Sequence, residues 1–296
     1  MKVILSLVVA PIAMVLAPVS AFAALKTQLV EYKQGDTVLE GYLAYDDAIT
    51  TKRPAVMVVH AWMGVDDYVK KRAEQLAQMG YVAFAADIYG KGIRPDNPKD
   101  AGAQAGIYRE NRQLMRDRAR AGLAVLQNNP QVDAKRIAAI GYCFGGGVVL
   151  ELARSGAPVA GVVSFHGNLD TPNPADAKNI KGKVLVLHGA IDPLVPAAQV
   201  DAFEKEMNNA NVDWQLVSYG GAVHSFTMPK AGSDKSKGAA YDATADRRSF
   251  AAMKQFFEEI FGRSTSLFPQ QPARVTNPRP LFPPPGGRRR VVPNIR

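Results

Sequence analysis

Six short apolar runs recur along the chain, at 55–60, 81–86, 136–140, 159–164, 184–188 and 214–219, and most of the gaps between them carry helical patterns. Strands separated by helices cannot be joined as tight hairpins. They lie parallel, and the helices cover both faces of the sheet. Between the first two runs, 67–79 sets Val69, Ala73 and Leu76 on one helical face and ends at Gly80. Met115, Ala119, Gly122, Leu123 and Leu126 follow the same spacing, as do Val200, Phe203 and Met207 after Pro196. A closing helix is expected over 239–261, ahead of Gly262. Before the alternation begins, 29–32 and 38–45 flank Gly35-Asp36 and predict a hairpin. The predicted class is α/β, with a mainly parallel central sheet and helices on both faces.

The two ends of the chain read differently from the body. Lys2, an apolar run over 3–19 and then Ala21-Phe22-Ala23 have the form of a secretory signal, so 1–23 is expected to be cleaved. A periplasmic or secreted location follows. The segment 263–296 holds eight prolines, seven arginines and no acid, and reads as a disordered extension. Its arginines suit weak contact with an anionic surface. The formal charge of +9 comes largely from these ends. With the one cation of 1–23 and the seven of 263–296 set aside, 28 basic residues face 27 acidic ones. The body 24–262 is nearly neutral, which removes the electrostatic case for a nucleic-acid-binding core. Cysteine occurs once, as Cys143, which excludes a disulfide framework and a zinc site built on cysteine pairs.

In parallel sheets, ligands bind at the loops beyond the carboxyl ends of the strands. After the run 136–140 comes Gly141-Tyr142-Cys143-Phe144-Gly145-Gly146-Gly147 and then a helical stretch. This is a strand–turn–helix elbow of the form Gly-x-nucleophile-x-Gly. Glycines let strand and helix approach closely, and the helix dipole favours a thiolate at its N-terminus. A buried structural cysteine beside a packing turn is the bland alternative for the elbow alone. Asp192 follows the run 184–188, however, and His224 follows 214–219. Nucleophile, acid and histidine in that chain order match the triad of α/β-hydrolases. Cys143 would attack, His224 would move the proton and Asp192 would orient His224. The backbone N–H groups of Phe144 and Trp62 are the expected oxyanion donors, Trp62 lying on the loop after 55–60. His60, His166 and His188 also end near strand termini. Without helical ligand spacing or an acidic cluster they read as structural or pocket-lining, not as metal ligands.

Gly141-Tyr142-Cys143-Phe144-Gly145-Gly146, the stretch from His188 to Pro196, Ala222-Val223-His224-Ser225-Phe226 and the early Val38-Leu39-Glu40-Gly41-Tyr42-Leu43-Ala44 together resemble the dienelactone hydrolase family over about 28–262. The resemblance implies an α/β-hydrolase with a Cys–Asp–His triad, acting on lactones and esters without a cofactor. It also implies substrate contacts in the segment 87–100, including Tyr89 and Lys91, the latter near a family arginine position. Two positions depart from the founding members. Ala61 stands where they have a glutamate near the thiol, and Met228 where they have a substrate-binding arginine. A small neutral ester or lactone thus becomes as suitable a substrate as a carboxylate-bearing one. The same three residues would also serve an acyltransferase or thioesterase, or leave a non-catalytic binding protein with an accessible thiol.

Overall fold

The computed structural model describes residues 25–262; the expected signal 1–23 and the tail 263–296 lie outside the described residues. The hairpin forms as β1 (Leu25–Gln34) and β2 (Thr37–Asp46), turning at Gly35, whose φ of +55° suits glycine. Six more strands follow: β3 (Arg53–Val59), β4 (Val82–Ala86), β5 (Val132–Tyr142), β6 (Gly161–Phe165), β7 (Lys183–Gly189) and β8 (Trp214–Tyr219). They form one sheet in the order β1-β2-β4-β3-β5-β6-β7-β8, antiparallel where β1 meets β2 and β2 meets β4, and parallel elsewhere. Strands β4 and β6 are buried along their whole length, as parallel strands covered on both faces must be.

Two apolar layers sandwich the sheet. On one face α1 (Asp67–Gln78) and α6 (Ala243–Phe261) bury Val69, Leu76, Met253 and Phe257 against alternate residues of β3–β7. On the other, α2 (Pro98–Glu110), α3 (Arg112–Gln127), α4 (Phe144–Arg154) and α5 (Ala197–Asn209) bury Tyr108, Leu123, Val148 and Phe203. The second layer also contains an ion network. Arg154 of α4, fully buried, donates to both carboxylate oxygens of Glu206 on α5 at 2.8 and 2.7 Å, to Glu151 at 3.1 Å and to the Leu169 carbonyl at 2.9 Å. Arg116 of α3 joins it through Glu151 at 2.8 Å and Asp176 at 2.7 Å. Four segments are thereby held together beneath the loop after β6.

Two stretches differ from expectation. Helix α2 occupies much of what reads as a connecting segment after β4: Asn97 accepts a hydrogen bond from the Asp100 N–H at 3.0 Å, and Pro98 takes the first turn. Its alanines and glycines give it almost no amphipathic contrast, which hides it from periodicity. The closing helix starts four residues later than expected, at Ala243. Ala240 instead donates to the His224 carbonyl at 3.0 Å, and Asp242 caps the helix through the N–H groups of Thr244 and Ala245.

Candidate active site

All the parallel strands point the same way, so the loops after β3, β5, β6, β7 and β8 gather at one edge of the sheet. Cys143 sits where β5 passes into α4, with φ +53° and ψ −115°. Such a backbone is costly for a residue with a Cβ, and it persists only because its surroundings fix it. The Cys143 N–H donates to the Phe165 carbonyl of β6 at 2.9 Å, and the turn closes so tightly that a Cβ on Gly141 would overlap the Gly145 carbonyl. The thiol is mostly buried, at 8% exposure.

His224, five residues beyond β8, places Nε2 3.0 Å from the Cys143 sulfur and Nδ1 2.8 Å from a carboxylate oxygen of Asp192. The second Asp192 oxygen accepts from the Leu194 N–H at 2.8 Å, which fixes the carboxylate's orientation. The His224 backbone is tied at both groups, its N–H to Gly238 at 3.2 Å and its carbonyl to Ala240 at 3.0 Å. The structure thus brings Cys143, His224 and Asp192 into one hydrogen-bonded line.

Electrostatics favour a charged pair. Burial opposes the thiolate, but the His224 imidazolium, the Phe144 N–H and the more distant Arg109 together lower the Cys143 thiol below its ordinary value. Burial likewise opposes the His224 cation, and the thiolate and Asp192 outweigh it, raising His224 to about 10. His166 lies edge-on to His224 with ring centroids 5.4 Å apart. Burial and the His224 charge hold His166 well below the usual histidine range, so it is neutral, and its Nε2 joins Thr227 Oγ at 2.8 Å.

The other expected site residues are distributed as follows. Phe144 is the first residue of α4, and its N–H faces the sulfur. Trp62 lies on the loop after β3; its N–H donates to no acceptor among the described residues, while its carbonyl accepts from the Tyr89 hydroxyl at 3.0 Å. Tyr89 is 1% exposed, packed against the His60 and Phe144 rings with its hydroxyl engaged, and so braces that loop. Met228 is half-buried, just beyond the histidine loop. Lys91 is turned to the hairpin, ion-paired with Glu31 of β1 and 4.0 Å from Glu40 of β2. The residue sequence reasoning missed is Arg109, at the end of α2. Its charge bears on both Cys143 and Tyr89, and it donates to Asn168 on the loop after β6 at 3.1 Å. The Asn97-Pro98 pair, a helix cap followed by a first-turn proline, is the signal that would have revealed α2 and its end.

A sheet of this order, a positive-φ elbow after β5, and an acid and a histidine after the last two strands define an α/β-hydrolase. The family model described as the dienelactone hydrolase family matches residues 39–261, and the chain belongs to that family. It is a carboxylic ester hydrolase of dienelactone hydrolase type. A solved dienelactone hydrolase-like promiscuous phosphotriesterase, P91, from metagenomic libraries is 42% identical; the match covers 81% of this chain and 100% of that one, with a TM-score of 0.77. The solved structure titled m3DLH is also 42% identical, covering 80% and 99% with a TM-score of 0.78. A putative carboxymethylenebutenolidase of Synechocystis sp. is 27% identical over 249 residues, 79% of this chain and 97% of that protein.

Proposed function

We propose that this hydrolase cleaves a small ester or lactone through a Cys143–His224–Asp192 triad and a thioester intermediate. The observation that carries the reading is the position of His224 between the Cys143 sulfur at 3.0 Å and the Asp192 carboxylate at 2.8 Å. In the resting pair the proton is on the imidazole. The thiolate attacks the ester carbon, forming the S–C bond, and the carbonyl electrons move to oxygen, where the N–H groups of Phe144 and Trp62 receive them. Collapse breaks the bond to the alcohol oxygen, which takes the His224 proton. Acylation removes the thiolate that had raised His224, so the histidine is now a neutral base. It draws a proton from water attacking the thioester, and collapse expels the Cys143 thiolate and the free acid. The charged pair is restored.

The same nucleophile and donors suit a second electrophile. The 42% identical relative described as a promiscuous phosphotriesterase supports including an aryl phosphotriester among the substrates. The test is burst kinetics with chromogenic esters, lactones and phosphotriesters. Stoichiometric release of the first product, followed by turnover, is expected. A wild-type protein no faster than Cys143→Ala across the panel overturns the reading.

Export is part of the proposal. The segment 1–23 supports a periplasmic or secreted enzyme, tested by N-terminal sequencing of exported material, where a start near Ala24 is expected. The arginine-rich 263–296 supports weak, salt-sensitive attachment to an anionic surface.

A further inference from the structure

His60 follows β3 directly, at the start of the candidate oxyanion loop, and is fully buried. Its Nε2 lies 3.2 Å from the Ile88 N–H, a group that can only donate. Nε2 is therefore unprotonated and the ring proton is on Nδ1, which donates to the Ala61 carbonyl at 2.6 Å. Burial holds the ring neutral, with Arg94 acting in the same direction against the opposing charges of Asp87 and Asp66. The ring stacks on Phe144 at 5.9 Å and meets the Tyr89 ring at 4.7 Å.

The Ala61 carbonyl and the Trp62 N–H belong to one peptide unit. It is planar and trans, so its C=O and N–H point in opposite directions. Holding the carbonyl fixes the direction of the N–H. The Gly64 N–H adds a weaker bond to the same carbonyl at 3.3 Å, and Tyr89 holds the next carbonyl, that of Trp62, at 3.0 Å. Without the His60 bond only the weaker Gly64 bond holds the Ala61 carbonyl, and a flipped unit would present an oxygen where a donor is needed.

We infer that His60 is a positioning residue for the oxyanion hole: its Nδ1–H clamps the 61–62 peptide so that the Trp62 N–H faces the developing oxyanion. The inference rests on the thioester reading above. It also gives a purpose to a buried polar ring that takes no part in the proton relay.

The test separates the oxyanion from the nucleophile. Alkylation by iodoacetamide forms an S–C bond and expels iodide without any oxyanion, so it reports the thiolate alone. His60→Phe keeps the ring stack and removes both hydrogen bonds. Its ester kcat is expected to fall about 10²- to 10³-fold, the usual effect of losing one oxyanion donor, while the rate of Cys143 alkylation stays at the wild-type value. His60→Gln, which retains a donor and an acceptor, is expected to recover most of the loss. Wild-type kcat in His60→Phe, or alkylation falling in parallel with hydrolysis, would overturn the inference. Nitrogen-15 NMR of the wild-type ring decides the matter even where the phenylalanine variant does not fold. An Nδ1–H tautomer unchanged from pH 5 to 9 is expected, and a proton on Nε2 or an ordinary titration near 6.5 overturns the clamp. A wild type no faster than Cys143→Ala defeats the hydrolytic reading and takes this inference with it; a fast wild type with an unaffected His60→Phe defeats the inference alone.

Discussion

The Nε2 of His224 stands 3.0 Å from the sulfur of Cys143, and the two groups shift each other in opposite directions, the thiol down and the imidazole up to about 10. Both shifts favour the thiolate–imidazolium form of the pair. The midpoint of thiol alkylation against pH is therefore expected below the ordinary cysteine value of about 8.5. Asp192→Asn removes the carboxylate that helps hold the imidazolium, so the midpoint should move up towards that value. Its kcat should fall by about 10⁴, the size seen when a triad acid becomes an amide. A wild-type midpoint at or above 8.5 contradicts the charged pair.

At the elbow, a Cβ on Gly141 would overlap the Gly145 carbonyl, and both ends of that contact are backbone. No side chain can swing away to relieve it. Gly141→Ala is expected to cost at least about 1–3 kcal/mol, as overpacked sites do, and to lose activity with the distorted turn. Chemical denaturation and ester turnover measure the two effects together; full stability with full activity would show that the elbow can relax.

The Arg154 network offers a stability measurement away from the chemistry. Arg154→Met leaves Glu206 buried without its guanidinium, while Glu151 keeps Arg116, and breaking such a pair typically costs about 3–5 kcal/mol. The thermal midpoint should fall by several degrees. Adding Glu206→Gln should return part of the loss, because one uncompensated charge is then gone. An unchanged midpoint in Arg154→Met would rule out the network as a stabilising element.

Two cations compete as the contact for a carboxylate-bearing ester. Lys91 is neutralised by Glu31 and Glu40, whereas Arg109 has no acidic partner within ion-pair distance among the described residues and donates only to Asn168. Arg109→Gln should lower kcat/KM for esters with a free carboxylate about two- to fivefold, the scale of one exposed charge, and lower it less for neutral esters, which feel only the loss of its distant pull on the Cys143 thiol. Lys91→Gln should change neither. A carboxylate-specific loss in Lys91→Gln would reverse the assignment.

How much of this was legible in the residues alone follows from which forces are local. The parallel strands were, because apolar runs and their bounding turns are properties of consecutive residues. The elbow, Asp192 and His224 were too, since each lies just past such a run and a parallel sheet brings those ends together. Helix α2 was not, because Ala101, Ala105 and Gly106 give a helix without an apolar stripe, and with it went Arg109. The true setting of Lys91 depends on β1 and β2 folding back to bring Glu31 and Glu40 beside the turn after β4, a meeting of residues more than fifty positions apart. The His60 bond is local in sequence, yet its meaning rests on the Ile88 N–H that fixes the tautomer, and that neighbour comes from the loop after β4.

Cys143 and His224 are 81 residues apart, and the carboxylate that steadies the histidine lies between them on a third loop. Four strands, β5 to β8, have to be laid side by side before the sulfur meets its imidazole. In an unfolded chain the thiol keeps the ordinary pKa of about 8.5 and is mostly protonated at neutral pH. Nucleophilicity here is thus acquired only on folding. The rate at which the lone sulfur gains reactivity during refolding, read by pulses of iodoacetamide, is a clock for closure of the sheet.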